Sequence, residues 1–171
     1  MTDFGMKPRT GRRAAARGFT LTELMIAVTI LGILSAFSLP SLKRFVSDQR
    51  VKTATSDFYA SMVYARSEAI KRAADVNIVP TNTADWTAGW IVKDSGGTSL
   101  RVQDAISGVA VTGATATITF RRDGRLTAAI PIFVLKSPSD NTITARCLRI
   151  DPSGRPSIKV DTNGNPADGC Q

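Results

Sequence analysis

Residues 19–39 form a run of 21 residues with a single ionisable side chain, Glu23, and no other stretch constrains the fold as strongly. Taken as a helix rising about 1.5 Å per residue, such a run spans a bilayer core of about 30 Å. It is preceded by a basic, polar stretch carrying Lys7, Arg9, Arg12, Arg13 and Arg17 against Asp3 alone. That asymmetry favours an N-terminus kept in the cytoplasm, with the remainder of the chain moved across the membrane. An ordinary secretory signal is cut after its apolar region at a small-x-small tripeptide. The nearest imitation here, Ser35-Ala36-Phe37-Ser38, is a weak one.

The remaining length bounds the rest. The chain has 171 residues, 43% of them hydrophobic, which suffices for one globular domain beyond an anchor. The formal charge of +8 overstates the basicity of that domain. Five of the 22 basic residues precede residue 19, leaving 17 basic and 13 acidic residues and a charge of +4 beyond it. A strongly basic nucleic-acid binder is therefore not implied by charge alone. There is no histidine, which removes the commonest general base and metal ligand, and no group of Cys, Asp and Glu has metal-site spacing. No nucleophile stands beside an evident base, so neither an enzyme, a cofactor nor a metal is expected.

The run reads Gly18-Phe19-Thr20-Leu21-Thr22-Glu23-Leu24-Met25-Ile26-Ala27-Val28-Thr29-Ile30. It closely resembles the class III signal of type IV prepilins and type II secretion pseudopilins, which is cut on the cytoplasmic side of the apolar helix. The resemblance implies cleavage between Gly18 and Phe19 by a prepilin peptidase, N-methylation of Phe19 by its methyltransferase activity, and retention of the anchor. Glu23 fits physically, because a carboxylate within hydrocarbon is costly unless paired or protonated. The resemblance supplies the partner, the N-terminal amine of a neighbouring subunit, which makes Glu23 a filament-assembly residue.

Beyond the run, Pro40 is expected to kink or loosen the helix. Ala54, Phe58, Met62, Ala65, Ala69 and Ala73 then recur at helical spacing, while Arg50, Lys52, Asp57, Arg66, Glu68 and Arg72 fall elsewhere. The expected divisions are 1–18 as leader, 19–39 as transmembrane and filament-core helix, 40–74 as its amphipathic continuation, and 75–171 as a β-rich domain. Short β-type runs are expected at 76–79, 90–93, 99–103, 109–112, 115–121, 132–135, 142–150 and 157–160. Turn signals separate them, at Asn82-Thr83-Ala84-Asp85, Ser95-Gly96-Gly97, Asp123-Gly124 and Asn163-Gly164-Asn165-Pro166. A helix followed by strands is the order of an α+β fold, with the long N-terminal helix laid on an antiparallel sheet or sandwich. Cys147 and Cys170 are expected to pair in an oxidising periplasm, closing a loop for about 3 kcal/mol. Two free thiols are the alternative.

The order Trp86-x-x-Gly89-Trp90, Ile118-x-Phe120-x-x-x-Gly124, then Cys147-Leu148-x-Ile150-x-x-x-Gly154-Arg155 resembles the GspH/FimT group of minor pilins and minor pseudopilins. That resemblance implies a type IV pilin-like fold, a single-pass inner-membrane precursor with a periplasmic domain, and other pilins or pseudopilins as partners. It implies a structural subunit that primes or caps a type IV pilus, with the minor pseudopilin H of a type II secretion system as the alternative. Some relatives of the FimT kind bind DNA through Gly-Arg-x-Arg, which implies a third role in DNA uptake. Here Gly154 and Arg155 match, Ser157 stands in place of the second arginine, and Lys159 offers a substitute charge. Arg121, Arg122 and Arg125 on one hairpin, with Arg146 and Arg149 on a late strand, could widen such a surface.

Overall fold

The computed structural model describes residues 18–83, 85–113, 116–163 and 170, with the side chains of 36–40 outside the description. The expected leader, 1–18, therefore lies outside it save for Gly18. Among the described residues one helix, α1 (Leu21–Arg72), is followed by eight strands: β1 (Val76–Asn82), β2 (Asp85–Asp94), β3 (Ser99–Gln103), β4 (Ala110–Thr112), β5 (Ile118–Phe120), β6 (Phe133–Lys136), β7 (Arg146–Ile150) and β8 (Pro156–Val160). The helix is continuous through Pro40, although the chain divides into two compact units between Leu39 and Pro40. Proline removes one backbone bond, and Leu42, Lys43 and Arg44 beyond it are all strong helix formers.

In the first unit, large apolar side chains point outward on every side of the helix, Phe19 being 74% exposed and Leu31 64%. Among the described residues no helix is long and apolar enough to cross a membrane. Part of the expected span over 19–39, the side chains of 36–39, lies outside the described residues.

The second unit is closed around the stripe of α1. Val51, Ala54, Phe58, Met62, Ala65 and Ala69 are buried in its core. Ala73 is not part of the stripe: it is exposed, adopts a φ of 51° and lies just beyond the helix end. The Ala74 N–H donates to Ala69 O and the Ala73 N–H to Ile70 O, each at 3.2 Å. That is a Schellman cap built on alanine where glycine is usual. Glu68 also departs from the expected pattern, being 7% exposed rather than on the solvent face. It is held by Arg72 at 2.6 Å and Lys71 at 3.3 Å, and Arg72 lies 3.7 Å from Asp94 at the end of β2.

The strands form two antiparallel sheets, ordered β3-β2-β1-β5 and β4-β6-β7-β8. Phe58 joins them through the helix. Its ring lies 3.9 Å from Trp90 and 5.5 Å from Trp86 on β2, and 5.7 Å from Phe133 on β6. The buried Trp90 indole N–H donates to Ser61 Oγ at 2.9 Å, so its polar atom is satisfied within the core. β2 begins five residues before the expected run, because its N-terminal half carries Trp86 into the core. The expected strand over 142–150 starts only at Arg146. Asp140 instead folds the preceding segment by accepting the Thr142 N–H at 2.9 Å and its hydroxyl at 2.5 Å.

Candidate functional site

The residues singled out in the sequence fall on three surfaces. At the start of α1, Gly18, Phe19 and Thr20 precede the first helical residue. Thr20 Oγ1 accepts the Glu23 N–H at 3.2 Å, and Thr20 O accepts the Leu24 N–H at 3.1 Å. Thr20 is thus the N-cap and Glu23 the third helical residue, the spacing of a capping box. The string Thr-x-x-Glu was open to this reading in the sequence. Glu23 lies in the first turn, where the helix dipole favours a carboxylate. A chain cut after Gly18 would place its new amine one residue ahead of that cap, where positive charge is disfavoured unless a carboxylate meets it.

The second surface is built from two similar turns. From Arg121 to Arg125, Gly124 N–H donates to Arg121 O at 2.7 Å and Arg121 N–H to Arg125 O at 2.8 Å. From Asp151 to Arg155 the pattern repeats, with Gly154 N–H to Asp151 O at 2.8 Å and Asp151 N–H to Arg155 O at 3.2 Å. Gly124 (φ 75°) and Gly154 (φ 78°) supply the left-handed residue that each turn requires. The turns pack back to back: a Cβ on Gly154 would overlap Gly124 O, and one on Gly124 would press on Ile70. Arg66 Nε donates to the same Gly124 oxygen at 3.1 Å, tying both turns to the helix. The spacing of the two glycines was visible in the sequence, their contact was not.

This packing gathers Arg121, Arg122, Arg125 and Arg155, all exposed, with the carboxylates of Asp75, Asp123 and Asp151 among them. Asp75 accepts the Arg122 N–H at 3.3 Å and Asp123 the Arg125 N–H at 3.1 Å. Asp151 accepts the Ser153 hydroxyl at 2.5 Å and the Arg155 N–H at 3.1 Å. The Ser153 hydroxyl, and then the Arg155 backbone, hold the Asp151 carboxyl below its ordinary range.

On β7 and β8 the register pairs Cys147 with Lys159 and Arg149 with Ser157. Cross-strand partners share a face, so Arg149, Ser157 and Lys159 stand on one side of the sheet with Cys147. Arg146 is three residues from Arg149 and belongs with Leu148 and Ile150 on the opposite face, which turns toward the core. The six candidate arginines thus do not form one surface. Cys147 is bonded to Cys170 with Cα atoms 6.0 Å apart, and Val134 and Ala145 complete a small second cluster with them. Among the described residues no group of His, Cys, Asp or Glu could hold a metal ion.

Comparisons with known proteins agree with this architecture. The family described as type II transport protein GspH matches residues 54–164, and the prokaryotic N-terminal methylation motif matches residues 13–39. Fimbrial proteins of Pseudomonas aeruginosa are 28% identical over 127 residues, covering 64% of this chain and 82% of theirs. Two crystal structures of the type IV minor pilin FimU from the same organism align with TM-scores of 0.58 and 0.55 at 22% identity. They cover 71% and 67% of this chain and 99% of that one.

Proposed function

Since the chain belongs to the GspH family and carries the prokaryotic N-terminal methylation motif over residues 13–39, we propose that it is a minor subunit of a filament assembled at the inner membrane, and that it primes or caps a type IV pilus. The observation that carries this reading is the contrast between the two units. The globular unit seals its apolar stripe within its own core, whereas the first turns of α1 carry apolar side chains exposed on every side. A helix apolar all round requires a bilayer or neighbouring helices, and an anchor that passes from one to the other uses both. In this reading residues 1–18 are a leader, Phe19 becomes the methylated first residue, 19–39 is the anchor and filament core, and Glu23 meets the amine of the next subunit. The domain spans the amphipathic continuation at 40–74 and the β-rich part at 75–171.

Intact mass of the membrane-extracted chain, expressed with a prepilin peptidase, tests the processing. Loss of residues 1–18 with one added methyl group is the expected result, and an uncut chain would sink the reading. The same assembly role in a type II secretion pseudopilus is the alternative. Deletion separates the two, since loss of twitching with secretion intact favours the pilus and the reverse favours the pseudopilus.

The paired turns favour one further role, DNA contact in uptake, because they bring Arg155 beside Arg122 and Arg125, with Arg149 and Lys159 on the adjoining strands. Binding through phosphates falls steeply as salt rises from about 50 to 200 mM. Affinity unchanged over that range, or unchanged by Arg155→Ala, removes this surface from consideration.

A further inference from the structure

Between α1 and the segment leading into β7 lies an open groove of about 610 Å³, lined among others by Arg44, Phe45, Lys52, Thr142, Arg146 and Val160. Three of these side chains are cationic, and they come from two elements. Two are already engaged: Lys52 Nζ lies 2.6 Å from Asp48, and Arg44 Nε lies 3.6 Å from Asp140. Arg146 is different. Its Nε is buried and meets no hydrogen-bond acceptor among the described residues. A guanidinium cannot shed its proton, and a buried donor without an acceptor is costly. The strand period explains how it arises, since Arg146 shares the inward face of β7 with Leu148 and Ile150 but sits at the end of the strand where the groove opens.

The chemistry of the lining is that of an anionic oxygen acceptor with an apolar neighbour. Arginine forks match phosphate oxygens, and Phe45 and Val160 offer apolar surface. Position along the chain adds a second argument. Arg44 and Phe45 follow residue 39 by five and six residues of the same helix, or roughly 8–9 Å of rise, comparable with the roughly 5–8 Å polar layer of one bilayer leaflet. Phe45 is 60% exposed and Leu42 56%, as suits side chains at that interface.

We propose that this groove binds the phosphate of an anionic phospholipid headgroup, with Arg146 and Arg44 as the phosphate ligands, and so fixes the depth and rotation of the subunit in the bilayer before it is drawn into a filament. The inference rests on the membrane-anchored reading of 19–39. In the groove the phosphate meets the guanidinium of Arg146, whose Nε finds no acceptor among the described residues.

The test uses the full chain in nanodiscs of phosphatidylcholine containing a minor fraction of phosphatidylglycerol, with retained lipid counted by native mass spectrometry. Wild type should retain phosphatidylglycerol in preference to phosphatidylcholine. Arg146→Gln and Arg44→Gln should each lower that retention on the order of tenfold, the scale of one charge-assisted hydrogen bond. Lys43→Gln, which removes a neighbouring charge outside the groove, should leave it unchanged. Arg146→Lys keeps the charge and loses the fork, so partial retention by this variant separates phosphate binding from a folding defect. Equal retention of the two lipids by wild type overturns the proposal, as does unchanged retention in Arg146→Gln. Displacement of the lipid by inorganic phosphate would assign the groove to free phosphate instead. Cross-linking of the groove to an acidic side chain of another subunit, with no lipid retained, would assign it to a protein contact. A chain that fails to enter the nanodisc at all speaks against the anchor, a failure distinct from indifference to lipid charge.

Discussion

Gly154 shows how a single missing side chain holds the domain together. Its φ of 78° is one that L side chains rarely adopt, and the space a Cβ would take is filled by the backbone oxygen of Gly124. Gly154→Ala adds backbone strain to a steric overlap, and should destabilise the domain by about 2–4 kcal/mol. Gly97 has a similar φ of 85° but faces open space. Gly97→Ala should therefore cost only the strain, about 1 kcal/mol, and denaturant melts of the two variants check the difference. Glu68 makes a second prediction at this scale. The hydrogen bond from Arg72, assisted by Lys71, outweighs burial and holds its carboxyl below the ordinary range. Its folded pKa lies below its unfolded one, so its contribution is present above the usual glutamate value of about 4.3 and is lost as pH falls through the folded value. Glu68→Gln should lower the melting temperature at neutral pH and narrow its gap to wild type as the pH falls below about 4. A gap that stays constant with pH would show that the pair contributes by packing alone.

At the scale of elements, what was legible in the sequence is what period and local chemistry carry. The stripe from Ala54 to Ala69 follows a strict helical spacing, and all five of its predicted members up to Ala69 are buried. The same spacing extended the stripe one step too far. Periodicity continues to Ala73, but the helix stops because Ala73 takes a positive φ to satisfy the carbonyls of Ala69 and Ile70, and alanine carries no signal of such a turn. Strand edges were misplaced for a related reason. Asp85 and Asp140 each fold the chain by accepting the N–H and hydroxyl of a threonine two residues on, a local bond that no alternation of apolar residues announces. The separation of Arg146 from Arg149 follows from the strand period itself, whereas the contact between the turns at Gly124 and Gly154 depends on the packing of two distant segments. The Ala73 cap also yields a stabilising substitution. Glycine reaches the left-handed region without a Cβ penalty, at some cost in unfolded-chain entropy, so Ala73→Gly should stabilise the protein by about 0.5–1 kcal/mol. A lower melting temperature in that variant would mean that Ala73 contributes contacts that its exposure does not reveal.

For the whole molecule, the division between residue 39 and residue 40 separates two kinds of side chain with two kinds of consequence. Phe58 is buried and touches Trp86, Trp90 and Phe133, so it joins both sheets to the helix. Its truncation leaves a cavity at the centre of the core, and Phe58→Ala should cost about 3–5 kcal/mol. Glu23 lies in the first turn of the helix, within the unit that does not contribute to that core. Glu23→Ala should therefore leave the cooperative melting of the β-rich unit where it is in wild type. Under the proposed function its effect belongs to assembly, because the apolar anchor of one subunit offers few other charges to receive a neighbour's amine. Sheared filaments from cells carrying each variant make the comparison, with melting followed by tryptophan fluorescence of the extracted chain. Glu23→Ala should melt as wild type, be processed after Gly18, and be absent from filaments. Phe58→Ala should melt early and be lost from filaments only in proportion to the chain that remains folded. If Glu23→Ala entered filaments at wild-type levels, the carboxylate would do no more than complement the dipole of its own helix, and the fit between neighbouring anchors would rest on apolar packing alone.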